Sequence, residues 1–80
     1  MTRDMKRLER RGIDMGPLFQ IISLLCQGGN VPPQCRPHKL HGEWVGCWEC
    51  HVGNDWLLVY IATDTDVILY RTGSHADLFE

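Results

Sequence analysis

Three histidines, one aspartate and one arginine set the chemical possibilities of this 80-residue chain. His38 stands at the mouth of the first candidate strand, His51 closes it, His75 follows the last strand, and Asp55 and Arg71 flank the same elements. Ends of adjacent strands converge in an antiparallel meander, which gives these side chains the opportunity to meet. Neither a Gly-rich phosphate loop nor a Ser or Cys nucleophile motif accompanies them. Imidazoles with a carboxylate and a guanidinium suit metal-free cleavage of RNA. A base takes the 2′-OH proton, the oxygen attacks the adjacent phosphorus, an acid protonates the departing 5′ oxygen, and a cation stabilises the phosphorane. Imidazole performs both proton transfers near neutral pH, and each positioned acid or base contributes about 10²- to 10⁴-fold in rate. By residue type alone the competing explanation stays open, since scattered histidines in a small domain commonly serve packing or the surface.

Two other chemistries share the same segment. Cys47-Trp48-Glu49-Cys50-His51 fits the C-x-x-C-H pattern of covalent haem attachment, and Cys26, Cys35, Cys47 and Cys50 would suffice for a four-thiolate zinc site. The stretch from Trp44 to His51 reads as a strand, which directs residues 47 and 50 to opposite faces and away from a shared metal. Haem attachment requires export, and the charged start Met1-Thr2-Arg3-Asp4-Met5-Lys6-Arg7-Leu8-Glu9-Arg10-Arg11 lacks the apolar core of a signal peptide. Free thiols, no metal and no cofactor are expected, in a cytoplasmic chain.

The elements that must position these residues follow from periodicity. Met1, Met5 and Leu8 recur at helical spacing and Gly12 stands in the C′ position, which predicts a first helix over Thr2 to Arg11. Asp14 is suited to cap a second helix, with Pro17 in its first turn, an apolar stripe of Met15, Leu18, Ile22 and Leu25, and a stop at Gly28-Gly29-Asn30. Val31 to Pro37 contains three prolines and reads as a loop. From Glu43 the period becomes two, predicting strands over Glu43 to His51, Trp56 to Ala62 and Asp66 to Arg71, and Ser74 is placed to cap a last short helical turn. The expected fold is α+β: one domain over residues 1–80, with two helices over one face of an antiparallel meander and part of the other face left for a ligand or partner. The longest uninterrupted apolar run, Trp56 to Ala62, is far short of a bilayer span.

Charge is distributed unevenly along the chain. Residues 1–39 carry seven bases against three acids, and residues 40–80 carry Arg71 against seven acids, for a formal net charge of −2. The basic half suits local contact with a polyanion, whereas the acidic total argues against strong unassisted nucleic-acid binding.

Three blocks occur in order: His38-Lys39-Leu40-His41-Gly42-Glu43-Trp44-Val45-Gly46, Glu49-Cys50-His51-Val52-Gly53-Asn54-Asp55-Trp56-Leu57-Leu58-Val59-Tyr60, and Arg71-Thr72-Gly73-Ser74-His75-Ala76-Asp77-Leu78-Phe79. With Lys6 to Gly12 as a first-helix ending, the chain resembles the YafQ-like branch of the RelE/ParE toxin superfamily over its whole length. That resemblance implies a bacterial type II toxin that cleaves mRNA in the ribosomal A site and is silenced by a cognate antitoxin, so its implied partners are that antitoxin, the ribosome and mRNA. It implies that His38, His51, Asp55 and His75 form the acid/base group, with His38 or His51 as base and His75 as acid, and that Arg71 is the phosphate-stabilising cation. Trp56, Phe79 and Lys39 are the implied substrate-binding residues.

The sequence departs from the family pattern in three places. The strand that ordinarily precedes the first helix is missing, Trp48 stands where related toxins often carry a base, and Asn54 where they often carry proline. From the missing strand follow the expectations of a truncated chain and of an exposed sheet edge that seeks a second copy or the antitoxin; together with the lost base and the acidic balance it gives the alternative function, a truncated or attenuated toxin that binds its antitoxin without cutting RNA.

Overall fold

A computed structural model describes residues 1–79. The apolar spacing at the start of the chain is realised as helices α1 (Thr2–Arg10) and α2 (Gly16–Cys26). Leu8 of α1 and Leu18, Ile21 and Leu25 of α2 are buried, Met15 is buried just ahead of α2, and Met1, Met5 and Ile22 pack partly buried around them. The N-cap of α2 is Met15 rather than the expected Asp14, which stands one residue ahead of it and accepts the Gly16 amide on Oδ1 at 2.9 Å.

Four strands, β1 (His38–Lys39), β2 (Trp48–Gly53), β3 (Trp56–Ala62) and β4 (Val67–Gly73), form an antiparallel sheet in sequential order, and a five-residue helix α3 (His75–Phe79) follows. The arrangement is the expected α+β fold, with one correction to the first strand. Glu43 to His51 is not continuous: Gly42–Trp44 form a 3-10 turn, and the strand begins only at Trp48. Gly42 at φ +69° and Gly46 at φ +91° occupy left-handed backbone that leaves the pleat, and Val45 and Cys47 close tight turns onto the carbonyls of Gly42 and Trp44. Upstream, His38 and Lys39 form a strand of their own, pairing with Glu49 and Trp48.

Alternation divides the sheet into two faces. Cys50, Leu58 and Tyr60 pack with the helices, while Leu57 and Val59 pack on the opposite face with Cys47 and Leu78. Cys47 and Cys50 thus belong to separate clusters. Glu49 and His51 lie opposite Val59 and Leu57, and Arg71 lies opposite Val59, which places all three on the face away from α2. One residue is extra at Val52 in β2, next to His51, and one at Tyr70 in β4.

The ends of the described chain are clasped by ion pairs. Asp4, 3% exposed, accepts from Arg71 Nε at 2.7 Å and Nη2 at 3.1 Å, from Arg7 Nη2 at 2.6 Å and from the Thr72 amide at 3.2 Å. Through these bonds α1 is fastened to β4, the terminal strand of the sheet. Asp77 of α3 accepts from Arg11 Nη1 and Nη2 at 2.8 and 3.0 Å and exchanges hydrogen bonds with Ser74, each donating its amide to the other's side chain. Such a reciprocal box starts a helix too short to stabilise itself. A side chain at Gly73, φ +154°, would meet Asp77 at 2.9 Å, so that approach requires glycine.

Candidate active site

Asp55 occupies the connection between β2 and β3 in left-handed backbone, φ +45°, a conformation aspartate tolerates better than most residues. From there its Oδ1 reaches the start of α3, accepting the His75 amide at 3.0 Å and lying 3.2 Å from His75 Nδ1. A carboxylate only accepts, so Nδ1 carries the proton and Nε2 faces outward. The His75 amide, followed by its ring, holds the Asp55 carboxyl below the usual carboxylate range.

His51 lines the same cleft as Asp55 and His75, an open space of about 480 Å³ that is also bordered by Gln34, Cys35 and Arg36. Burial lowers the His51 pKa first, the positive charge of Arg36 adds to that, and Glu49 opposes them, for a net shift below the ordinary value. The surroundings thus favour the neutral ring, the form in which an imidazole accepts a proton.

His38 stands beside it, the two ring centroids 6.3 Å apart. Its Nδ1 lies 2.8 Å from the Arg36 carbonyl, so that nitrogen donates, and its Nε2 lies 3.2 Å from Glu49 Oε1. Glu49 is 5% exposed. Phe79 lies next to His75, its ring 6.1 Å from the imidazole and edge-on to Trp44 at 6.3 Å.

The expected residues thus separate into two groups. His38, His51, Asp55, His75 and Phe79 are brought together. Lys39 and Trp56 are not: Lys39 pairs with Trp48 on the helix side of the sheet, its Nζ 5.7 Å from the indole centroid. Trp56 packs against the helix-side core and donates its indole N–H to the Thr72 hydroxyl at 2.9 Å. Arg71 lies on the site face, but its Nε and Nη2 are occupied by Asp4. Two residues at the site were not singled out from sequence, Glu49 and Arg36. The equal parity of Glu49 and His51 along β2 is the signal that could have found the first; nothing local marks the second.

Cys50 offers no reactive thiol, because burial, followed by the nearby Cys35 and Glu49, pushes its pKa up to about 12. Among the described residues no group of three or more His, Cys, Asp or Glu side chains is placed to hold a metal ion, and no helix is long and apolar enough to cross a membrane. The arrangement gathers two imidazoles and a carboxylate around one open cleft, with a third imidazole beside it.

The family model described as "Bacterial toxin of type II toxin-antitoxin system, YafQ" matches residues 1–80. The mRNA interferase toxin YafQ of Escherichia coli strain K12 is 37% identical over 79 residues, which are 98% of this chain and 86% of the relative. The crystal structure of YafQ from E. coli strain BL21(DE3) superposes with a TM-score of 0.95 at 33% identity, covering all of this chain and 90% of that one. YafQ in the crystal structure of the E. coli DinJ–YafQ complex does so with a TM-score of 0.91 at 34% identity, over the same shares.

Proposed function

The chain belongs to the YafQ family of bacterial type II toxins, and from that premise we propose that it is a ribosome-dependent endoribonuclease, cutting mRNA in the ribosomal A site and silenced by a cognate antitoxin. The observation that carries the proposal is the convergence of His51, Asp55 and His75 on one cleft, with His38 alongside. His51, with His38 beside it, removes the 2′-OH proton. The O2′ electron pair forms the new bond to phosphorus, the bond from phosphorus to O5′ breaks, and His75 delivers a proton to O5′. The products are a 2′,3′-cyclic phosphate and a free 5′-OH. Asp55 orients His75 and balances its charge, and Phe79 offers a face on which a base stacks. The small, net acidic chain leaves alignment of the message to the ribosome. Trp56 and Lys39 serve from the helix side of the sheet as packing groups.

Primer extension on translating ribosomes tests the proposal. The purified chain should give reproducible cuts, and His75→Ala should slow them by about 10²-fold or more without loss of folding, since that side chain is more than half exposed. Parental cutting by His75→Ala would refute the assigned roles. A second possibility, a chain that binds an antitoxin without cleaving RNA, draws on the engagement of Arg71 by Asp4. The same assay separates the two, because an uncut message beside a stable antitoxin complex would favour it.

A further inference from the structure

The phosphorane in the proposed reaction needs a cation, and the arginine expected to supply one is tied down. Asp4 receives Arg71 through two nitrogens, and the Asp77 carbonyl stands 3.4 Å from one of them. The three arginines of the clasp, Arg7, Arg11 and Arg71, all have carboxylate partners. Arg36 differs. It borders the cleft together with His51, Asp55 and His75, it is exposed, and no ion pair engages it among the described residues.

Its backbone is also unusual. Arg36 ends the 3-10 turn Pro33–Cys35 at φ +49° and ψ +56°, a left-handed conformation that costs a residue other than glycine, asparagine or aspartate on the order of 1 kcal/mol or more. That posture holds its carbonyl 2.8 Å from His38 Nδ1. One residue in a sparsely populated conformation thus anchors one imidazole through its main chain, borders the cleft of the other two, and carries a charge that His51 senses.

We propose that Arg36 is the substrate cation of this site, its guanidinium pairing with the non-bridging oxygens of the RNA phosphate held among His51, Asp55 and His75, in the place that Arg71 leaves empty. The inference rests on the nuclease function proposed above and adds to it the group that binds the reacting phosphate. A planar guanidinium suits a phosphate better than an ammonium does, because it offers two parallel N–H donors. The charge of Arg36 also favours the neutral form of His51, so the cation that attracts the phosphate helps to keep the base ready.

Two variants and two readouts decide it. Arg36→Gly removes the side chain and accommodates φ +49° without strain, so its melting point should equal or exceed the parent's. In single-turnover cleavage of ribosome-bound message it should lower the maximal rate by about 10²-fold, with the half-saturating toxin concentration little changed. Arg36→Lys should recover part of that loss. Separately, titration of the purified chain with inorganic phosphate, followed by the arginine side-chain N–H signals in NMR, should move Arg36 and leave Arg71 still. Parental maximal rates in Arg36→Gly would overturn the proposal. So would a change confined to the half-saturating concentration, which would make Arg36 a ribosome-docking cation. A parent chain that fails to cut would sink the nuclease function instead, and the phosphate titration would then decide Arg36 alone, an unmoved signal overturning it.

Discussion

Replacing Asp4 by alanine should cost about 3 kcal/mol of stability, and the estimate comes from what the carboxylate holds. Its two oxygens accept four hydrogen bonds, three from guanidinium nitrogens and one from the Thr72 amide. Arg7 and Arg71 are each about one-third exposed at the side chain, so water re-solvates them when the carboxylate goes, and together they account for about 1 kcal/mol. Thr72 is fully buried. Its amide loses this partner without gaining water, which costs about 1–3 kcal/mol. For a chain of this length about 3 kcal/mol corresponds to a fall in melting temperature of roughly 12–24 °C. A urea melt followed by circular dichroism measures it, and pH supplies an independent check. Burial raises the Asp4 pKa, but the bonds from Arg71 and Thr72 and the nearby charges outweigh it, so the folded value is lowered. A lowered carboxylate contributes stability that is fully present above its unfolded pKa, near 3.9, and is lost as pH falls through the folded value. The parent should therefore lose stability below about pH 4 more steeply than Asp4→Ala does. A loss under about 1 kcal/mol, with an unchanged acid slope, would refute the view that this carboxylate fastens α1 to the sheet.

The remaining predictions concern the site and its support. Because the His51 pKa is lowered, the acid limb of the cleavage rate should have its midpoint below the ordinary histidine value of about 6.5, the base being lost as pH falls through the folded pKa; a midpoint above it would contradict the assignment of His51 as base. Trp56→Phe deletes the indole donor to Thr72 while keeping an aromatic ring, and should lower stability by about 1 kcal/mol in a urea melt while leaving cleavage within a few-fold of the parent. A loss of cutting without a loss of stability would restore Trp56 to the nucleotide pocket.

Helix and strand periodicity carried most of the architecture. The continuous apolar run Trp56 to Ala62 and the apolar stripes of the two helices appear as elements where the sequence put them. Hidden from a linear view were features that depend on parity or distance. Lys39 adjoins His38 in the chain, yet in an extended pair neighbours face opposite ways, and its side chain leaves the cleft. Gly42 and Gly46 interrupt a segment whose composition still suits a strand, because the interruption lies in backbone sign rather than hydrophobicity. Asp4 and Arg71 are 67 positions apart, and nothing in either neighbourhood announces the other. The blocks that place His38, His51, Asp55 and His75 do not reveal that an arginine among them is already spoken for.

The Arg11–Asp77 contact has a bearing on how the site responds to its surroundings. Five residues are too few for α3 to persist by its own hydrogen bonds, and the ring that would protonate the leaving oxygen rides on that segment. The segment is held through Asp77 by a guanidinium 66 positions before that residue, across an exposed bond that added electrolyte weakens. Ionic strength should accordingly act on such an enzyme twice: by thinning its attraction for a polyanion, and by loosening the buckle that keeps the proton donor in line.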